Sequence, residues 1–185
     1  MSVETRVVEQ KGLKAVDVAI VAVLLAVGAV LRYFTPPIAG ITPNFVIIMY
    51  CLSILLIRPK FGAILGIGLV SAAICQVTTK SLFPYLNFVS EPVGAIVVGL
   101  LAMIRMESGF LKYVRPFLIT LLGTLVSGFT YISIFKAITL FVQLGPNRPN
   151  PAYAALVVVV LVTAVANTVL GGILYFPLKA ALGKK

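Results

Sequence analysis

Leu86-Asn-Phe-Val-Ser-Glu-Pro-Val-Gly-Ala-Ile-Val-Val-Gly-Leu100 places one carboxylate, Glu91, near the start of an otherwise apolar run. A run of this kind is long enough, with its neighbours, to enter a bilayer, where a charged side chain costs roughly 2.5–3.5 kcal/mol even on the mildest insertion scale. An acid at that depth is a functional-site candidate by default. A structural reading stands beside it: Ser90 caps a helix whose first turn holds Glu91 and Pro92, where the helix dipole favours an acid and proline is tolerated.

Working outward, the same apolar character fills the chain. Of its 185 residues 61% are hydrophobic and 11% charged, and the mean hydropathy is +1.12. That composition excludes an ordinary soluble domain. About 20 apolar residues cross the hydrocarbon core, so the expectation is one all-α transmembrane domain over residues 1–185 with six helices and little else. The spans are read at 16–34, 43–57, 61–79, 88–104, 117–142 and 153–178. The first run lacks a small-residue cleavage site and reads as a retained span rather than a signal peptide.

The net charge of +10 comes from Lys and Arg scattered between apolar runs, not from a basic face, so nucleic acid is not an expected partner. Orientation explains the charge better. With the N-terminus inside, Arg6, Lys11, Lys14, Arg58, Lys60, Arg105, Lys112, Arg115, Lys179, Lys184 and Lys185 are cytoplasmic, against Arg32, Lys80, Lys136 and Arg148 outside. By the positive-inside rule both termini are cytoplasmic.

This orientation sorts the polar residues by depth. Arg32, Asn44, Gln76, Thr78, Thr79, Asn87, Glu91, Tyr131 and Lys136 fall toward the outer leaflet, and the inner half keeps little beyond Ser53, Ser71 and Asn167. A pore should be polar along its whole length; this pattern describes a pocket open to the outside. Arg32, Lys80 and Lys136 also admit the plain reading that they snorkel to the interface.

Small residues mark two faces. Ala15, Ala19, Ala22, Ala26 and Ala29 recur at helical spacing on the first span, and Gly62-x-x-x-Gly66 opens the third. Such faces let helices approach closely in lipid. They serve equally well for packing inside the fold or for docking a partner.

The inventory also excludes chemistry. The chain has no His, and its acids are Glu4, Glu9, Asp17, Glu91 and Glu107. Hydrolysis by paired Asp, by a zinc H-E-x-x-H site or by Ser with His cannot be assembled from it. There is no P-loop. Cys51 and Cys75 lie in apolar runs and read as buried small residues rather than metal ligands. The expectation is a binding or transport subunit rather than an enzyme, with no cofactor or metal, energised by a partner if at all. The competing class is a membrane enzyme or assembly factor whose chemistry comes from elsewhere.

With these residues in view, the chain resembles the substrate-binding S components of energy-coupling-factor (ECF) transporters. Ala22-Val-Leu-Leu-Ala26 matches the small-residue motif on their first helix. Within that group it is most similar to the tryptophan-transporter family. The similar stretches are Pro36-Pro37, Pro43-Asn44, Phe83-Pro84 before Asn87, Ser90-Glu91-Pro92-Val93, Gly123 to Gly128, and Ala166-Asn167-Thr168-Val169.

The resemblance implies a multi-pass protein of a prokaryotic cytoplasmic membrane that takes up tryptophan or a related aromatic compound. It also implies docking through Ala22 and Ala26 to a transmembrane coupling subunit driven by two ATPase subunits. The residues permit a matching site: Glu91 facing the ammonium, Asn44, Gln76 or Asn167 on the carboxylate, Asn87 nearby, and Phe83, Phe88, Phe129 or Tyr131 against the ring. A vitamin or vitamin precursor as substrate, or a standalone facilitator without ATPases, are the alternatives.

Overall fold

The computed structural model describes residues 12–36, 44–104, 109–142, 144 and 150–183. Six α-helices follow one another: α1 (Ala15–Phe34), α2 (Val46–Ile57), α3 (Phe61–Thr78), α4 (Asn87–Met103), α5 (Leu111–Phe141) and α6 (Tyr153–Ala181). No β-strand is present among the described residues. A 3-10 turn, Pro84–Leu86, leads into α4. The loop after Pro36 with Pro37 and Pro43, the flanking Arg6, Lys11, Arg105, Arg148, Lys184 and Lys185, and the acids Glu4, Glu9 and Glu107 lie outside the described residues.

Local signals set the ends. The backbone N–H of Lys14 donates to Asp17 Oδ2 at 3.1 Å, placing an acid in the first turn of α1 where the dipole favours it. Thr35 and Pro36 end that helix, since proline disfavours the helical conformation in the residue before it. Arg58, in the left-handed region at φ 55°, closes α2 just before Pro59.

Five helices are long and apolar enough to cross a membrane, and α2 is a shorter apolar helix. At 1.5 Å per residue its 12 residues reach about 18 Å, short of the roughly 30 Å hydrocarbon core. All 12 are buried, and α2 touches every other helix. It is the central rod of the bundle, enclosed by the other five helices. The run read at 43–57 forms this helix over Val46–Ile57. The other helices turn apolar residues outward, including Val23, Val30, Val70, Val162 and Val165, as lipid-facing surfaces require.

Two other spans extend past expectation. α5 starts at Leu111 instead of 117, and α6 runs to Ala181 instead of 178. Pro116 and Pro177 sit inside these helices. Pro116 lies near the start of its helix and Pro177 near the end, so each removes one backbone hydrogen bond without ending the helix.

Small residues allow the closest crossings. A Cβ at Gly94 would lie 2.5 Å from Tyr50 Oη and 2.8 Å from Ser127 Cβ, so α2, α4 and α5 meet there only because the side chain is absent. Gly62 and Gly66 behave differently: a Cβ at either would meet nothing within 4 Å. The Gly62-x-x-x-Gly66 pattern therefore packs against no described part of the chain. Ser53 and Ser71, both buried, bond back to Met49 O and Ile67 O, each at 2.8 Å.

Candidate functional site

One cavity gathers the polar residues. It is lined by Arg32 from the end of α1, Asn44 before α2, Ser81 and Asn87 around the start of α4, and Glu91 from its second turn. Thr124, Ser127, Gly128, Tyr131 and Ile132 come from α5, and Val159, Val160 and Thr163 from the first half of α6. All these elements meet at one end of the bundle. The cavity holds about 460 Å³ of space, open solvent at its mouth included.

Glu91 is 2% exposed. The helix begins at Asn87 with no side-chain cap, and Ser90 Oγ, buried, has no hydrogen-bond partner among the described residues. The reading of Ser90 as a cap with Glu91 in the first turn is therefore not what forms: the chain turns into helix one turn earlier, through the 3-10 segment. Glu91 is carried inward instead. Its Oε1 accepts from Asn44 Nδ2 and its Oε2 from Ser127 Oγ at 3.2 Å. Both donors are neutral, so the carboxylate is held in place by oriented dipoles.

Asn44 is the hub. Its Oδ1 accepts the Val46 N–H at 3.1 Å and lies 3.5 Å from Cys75 Sγ, while its backbone carbonyl accepts Asn167 Nδ2 at 3.0 Å. Asn167 also donates to Thr124 Oγ1 at 3.2 Å and is fully buried. Asn167 thus stands behind the cavity wall rather than in it, and holds the start of α2 against α5 and α6. Grouped in the sequence with the few polar residues of the inner half, it bonds to the segment that carries Asn44.

Of the remaining candidates, Asn87 and Tyr131 line the cavity. The Asn87 amide donates to Pro84 O and Tyr131 Oη to Phe83 O at 3.1 Å, so both also pin the segment before α4. Phe83 is buried edge-to-face on Phe135 at 5.5 Å. Phe88 is exposed, and Phe129 packs beside this cluster.

Gln76 does not reach the cavity. Cys75 takes the inward position on α3, and the next residue is rotated about 100° away around the helix. Ala22 and Ala26 are exposed on the outside of α1, together with Ala15 and Ala19.

Sequence reasoning missed Arg32 as a cavity residue. Placed at a helix end, it reads as an interfacial arginine, yet it is 2% exposed, and its Nε and Nη1 have no hydrogen-bond partner among the described residues. The signal was present: Val21, Leu25, Gly28 and Arg32 share the buried stripe of α1. Arg115, read as part of a basic flank, is also buried, with Nη2 2.6 Å from Ala102 O at the end of α4. Lys136 remains at the surface, donating to Asn150 Oδ1 at 2.6 Å.

Residues 14–183 match the family model described as Tryptophan transporter TrpP. The chain belongs to the tryptophan transporter family. It is 32% identical over 167 residues to the "Probable tryptophan transport protein" of Bacillus subtilis (strain 168), covering 88% of this chain and 90% of that protein. No solved structure matches. As a family member with five membrane-length apolar helices around a sixth, it is a multi-pass membrane protein with a transport role.

Proposed function

We propose that the chain is a substrate-capture subunit that binds tryptophan in the cavity at Glu91. The observation that carries this reading is the buried carboxylate: Glu91, fixed by Asn44 and Ser127, lines a polar cavity at one end of a membrane bundle. A buried anion oriented by neutral donors suits a ligand ammonium, and Tyr131 supplies an aromatic edge nearby. Family membership supports tryptophan as the ligand.

In this reading both termini are cytoplasmic, the whole chain is one transmembrane domain, and the cavity opens outward. Uptake is energised by a partner: a transmembrane coupling subunit docks on the exposed alanine face of α1 at Ala22 and Ala26 and is driven by two ATPase subunits. The absence of a P-loop from the sequence supports an external energy source.

The test is thermal stabilisation of the purified chain by a panel of tryptophan, kynurenine, tyramine, thiamine, riboflavin and biotin. Stabilisation by tryptophan is the expected result. Stabilisation by a vitamin alone would overturn the substrate, and no response to any of them would overturn the capture role.

A further inference from the structure

The stripe of α1 that faces the bundle runs through Val21, Leu24, Leu25 and Gly28 and then reaches Arg32. At the position where the next apolar residue belongs, the chain places a guanidinium. Its neighbours have the opposite arrangement: Leu31, Tyr33 and Phe34 are 43%, 59% and 77% exposed, whereas Arg32 is 2% exposed. A snorkelling arginine sends its head to the interface. This one is drawn into the cavity wall beside Asn44 and Glu91.

Burial of that kind calls for partners. An arginine has five N–H donors and no acceptor capacity, and buried donors left unpaired are rare in native proteins because each forfeits its hydration. Among the described residues, Nε and Nη1 of Arg32 are such donors. Each oxygen of the Glu91 carboxylate accepts from a neutral side chain, so the Arg32 charge acts on it through space and the guanidinium donors stay available. The cavity presents a cation and an anion on separate elements, α1 and α4.

We propose that Arg32 receives the carboxylate of the ligand while Glu91 faces its ammonium, so that the site selects zwitterionic α-amino acids. The proposal rests on the capture reading of Glu91 and adds the group that fixes the other end of the substrate. Guanidinium suits this role because its planar donors match a carboxylate. A ligand bearing only one of the two charges leaves the other pole of the cavity unpaired. Sites built around such polar partners reject analogues lacking the group by large factors.

Three indole compounds separate the possibilities: L-tryptophan, tryptamine, which lacks the carboxylate, and indole-3-propionate, which lacks the ammonium. The chain contains no Trp, so ligand indole fluorescence can be followed in the purified protein without background. The unmutated chain is expected to bind tryptophan about 100-fold or more tightly than either analogue. Arg32→Gln should weaken tryptophan by about the same factor while leaving tryptamine unchanged, collapsing the ratio between them.

A purely structural arginine would lower all three affinities together, and that result would overturn the proposal. Equal binding of tryptophan and tryptamine by the unmutated chain would overturn it too, while leaving capture at Glu91 intact. Failure of the unmutated chain to bind tryptophan at all would overturn both. The analogue series needs no variant, so it can still overturn the proposal where Arg32→Gln fails to fold, and Arg32→Lys, which keeps the charge, then tests the guanidinium itself.

Discussion

Asn167 donates its side-chain amide to the backbone carbonyl of Asn44 at 3.0 Å, and Asn44 in turn donates its own amide to Glu91. Residues from α6, the start of α2 and α4 are thereby joined in one chain of bonds. Because Thr124 accepts from the same Asn167 amide, α5 is tied in as well. The position of the carboxylate is set by a residue that does not itself line the cavity.

Asn167→Ala should therefore act at a distance. It leaves the buried Asn44 carbonyl without its donor, a loss of about 1–3 kcal/mol. A lowered melting temperature of the purified chain, together with weaker tryptophan binding, is the expected outcome. A variant with unchanged melting and unchanged affinity would contradict the linkage.

Two glycine substitutions should separate interior from exterior. Gly94→Ala forces a methyl against Tyr50 Oη and Ser127 Cβ, and overpacking of this kind costs about 1–3 kcal/mol. Gly62→Ala meets nothing within 4 Å, and it relieves a glycine in a helix. Thermal melts of the two variants should move in opposite directions, or Gly62→Ala should stay level. A destabilising Gly62→Ala would contradict its placement on an open face.

Much of the helical bundle could be read from the lengths of the apolar runs, and their limits were good wherever a loop residue forced the turn, as at Thr35-Pro36 and Arg58-Pro59. The limits of the two longest helices were set short, at 117 and 178, where Pro116 and Pro177 lie inside helices that continue past them, because a proline near either end of a long helix leaves most of the hydrogen-bond ladder intact. The enclosure of α2 was hidden for another reason. A short run that is apolar all round looks the same in sequence whether lipid or protein surrounds it.

Within the site, Glu91, Asn44, Asn87 and Tyr131 were legible as polar groups at one depth, and the structure brings them to one cavity. Depth alone cannot say which face of a helix a residue occupies, which is why Gln76 was grouped with them. Arg32 was obscured by its position at a helix end, where a long cationic side chain usually reaches water. Ser127 and Thr124 carried no signal of their own, since a hydroxyl in a membrane helix can equally well bond back to its own backbone, as Ser53 does.

The exposed alanines of α1 make a prediction about partners. Ala22→Trp and Ala26→Trp add bulk on the outer face, away from the cavity, so the isolated chain should fold and keep its ligand-induced stabilisation. Uptake of tryptophan by cells should be lost, because a bulky side chain prevents close helix approach. Normal uptake by both variants would contradict docking at this face.

Tyr131→Phe removes the bond to Phe83 O but keeps the ring. The expected effect is a modest loss of stability of about 1 kcal/mol, with weaker anchoring of the segment before α4. Stability measured by thermal melting should fall less than for Asn167→Ala, where a fully buried group loses its partner.

The most direct test of capture at Glu91 is a fluorescence titration of tryptophan into the purified chain and into its Glu91→Gln variant. The substitution is close to isosteric: a glutamine can still accept from Asn44 and can donate to Ser127, whose hydroxyl serves either way. The fold should persist, and tryptophan affinity should drop by about tenfold or more, as loss of a charged hydrogen-bond partner implies. Equal affinity in the folded variant would contradict the assignment of Glu91 to the ligand.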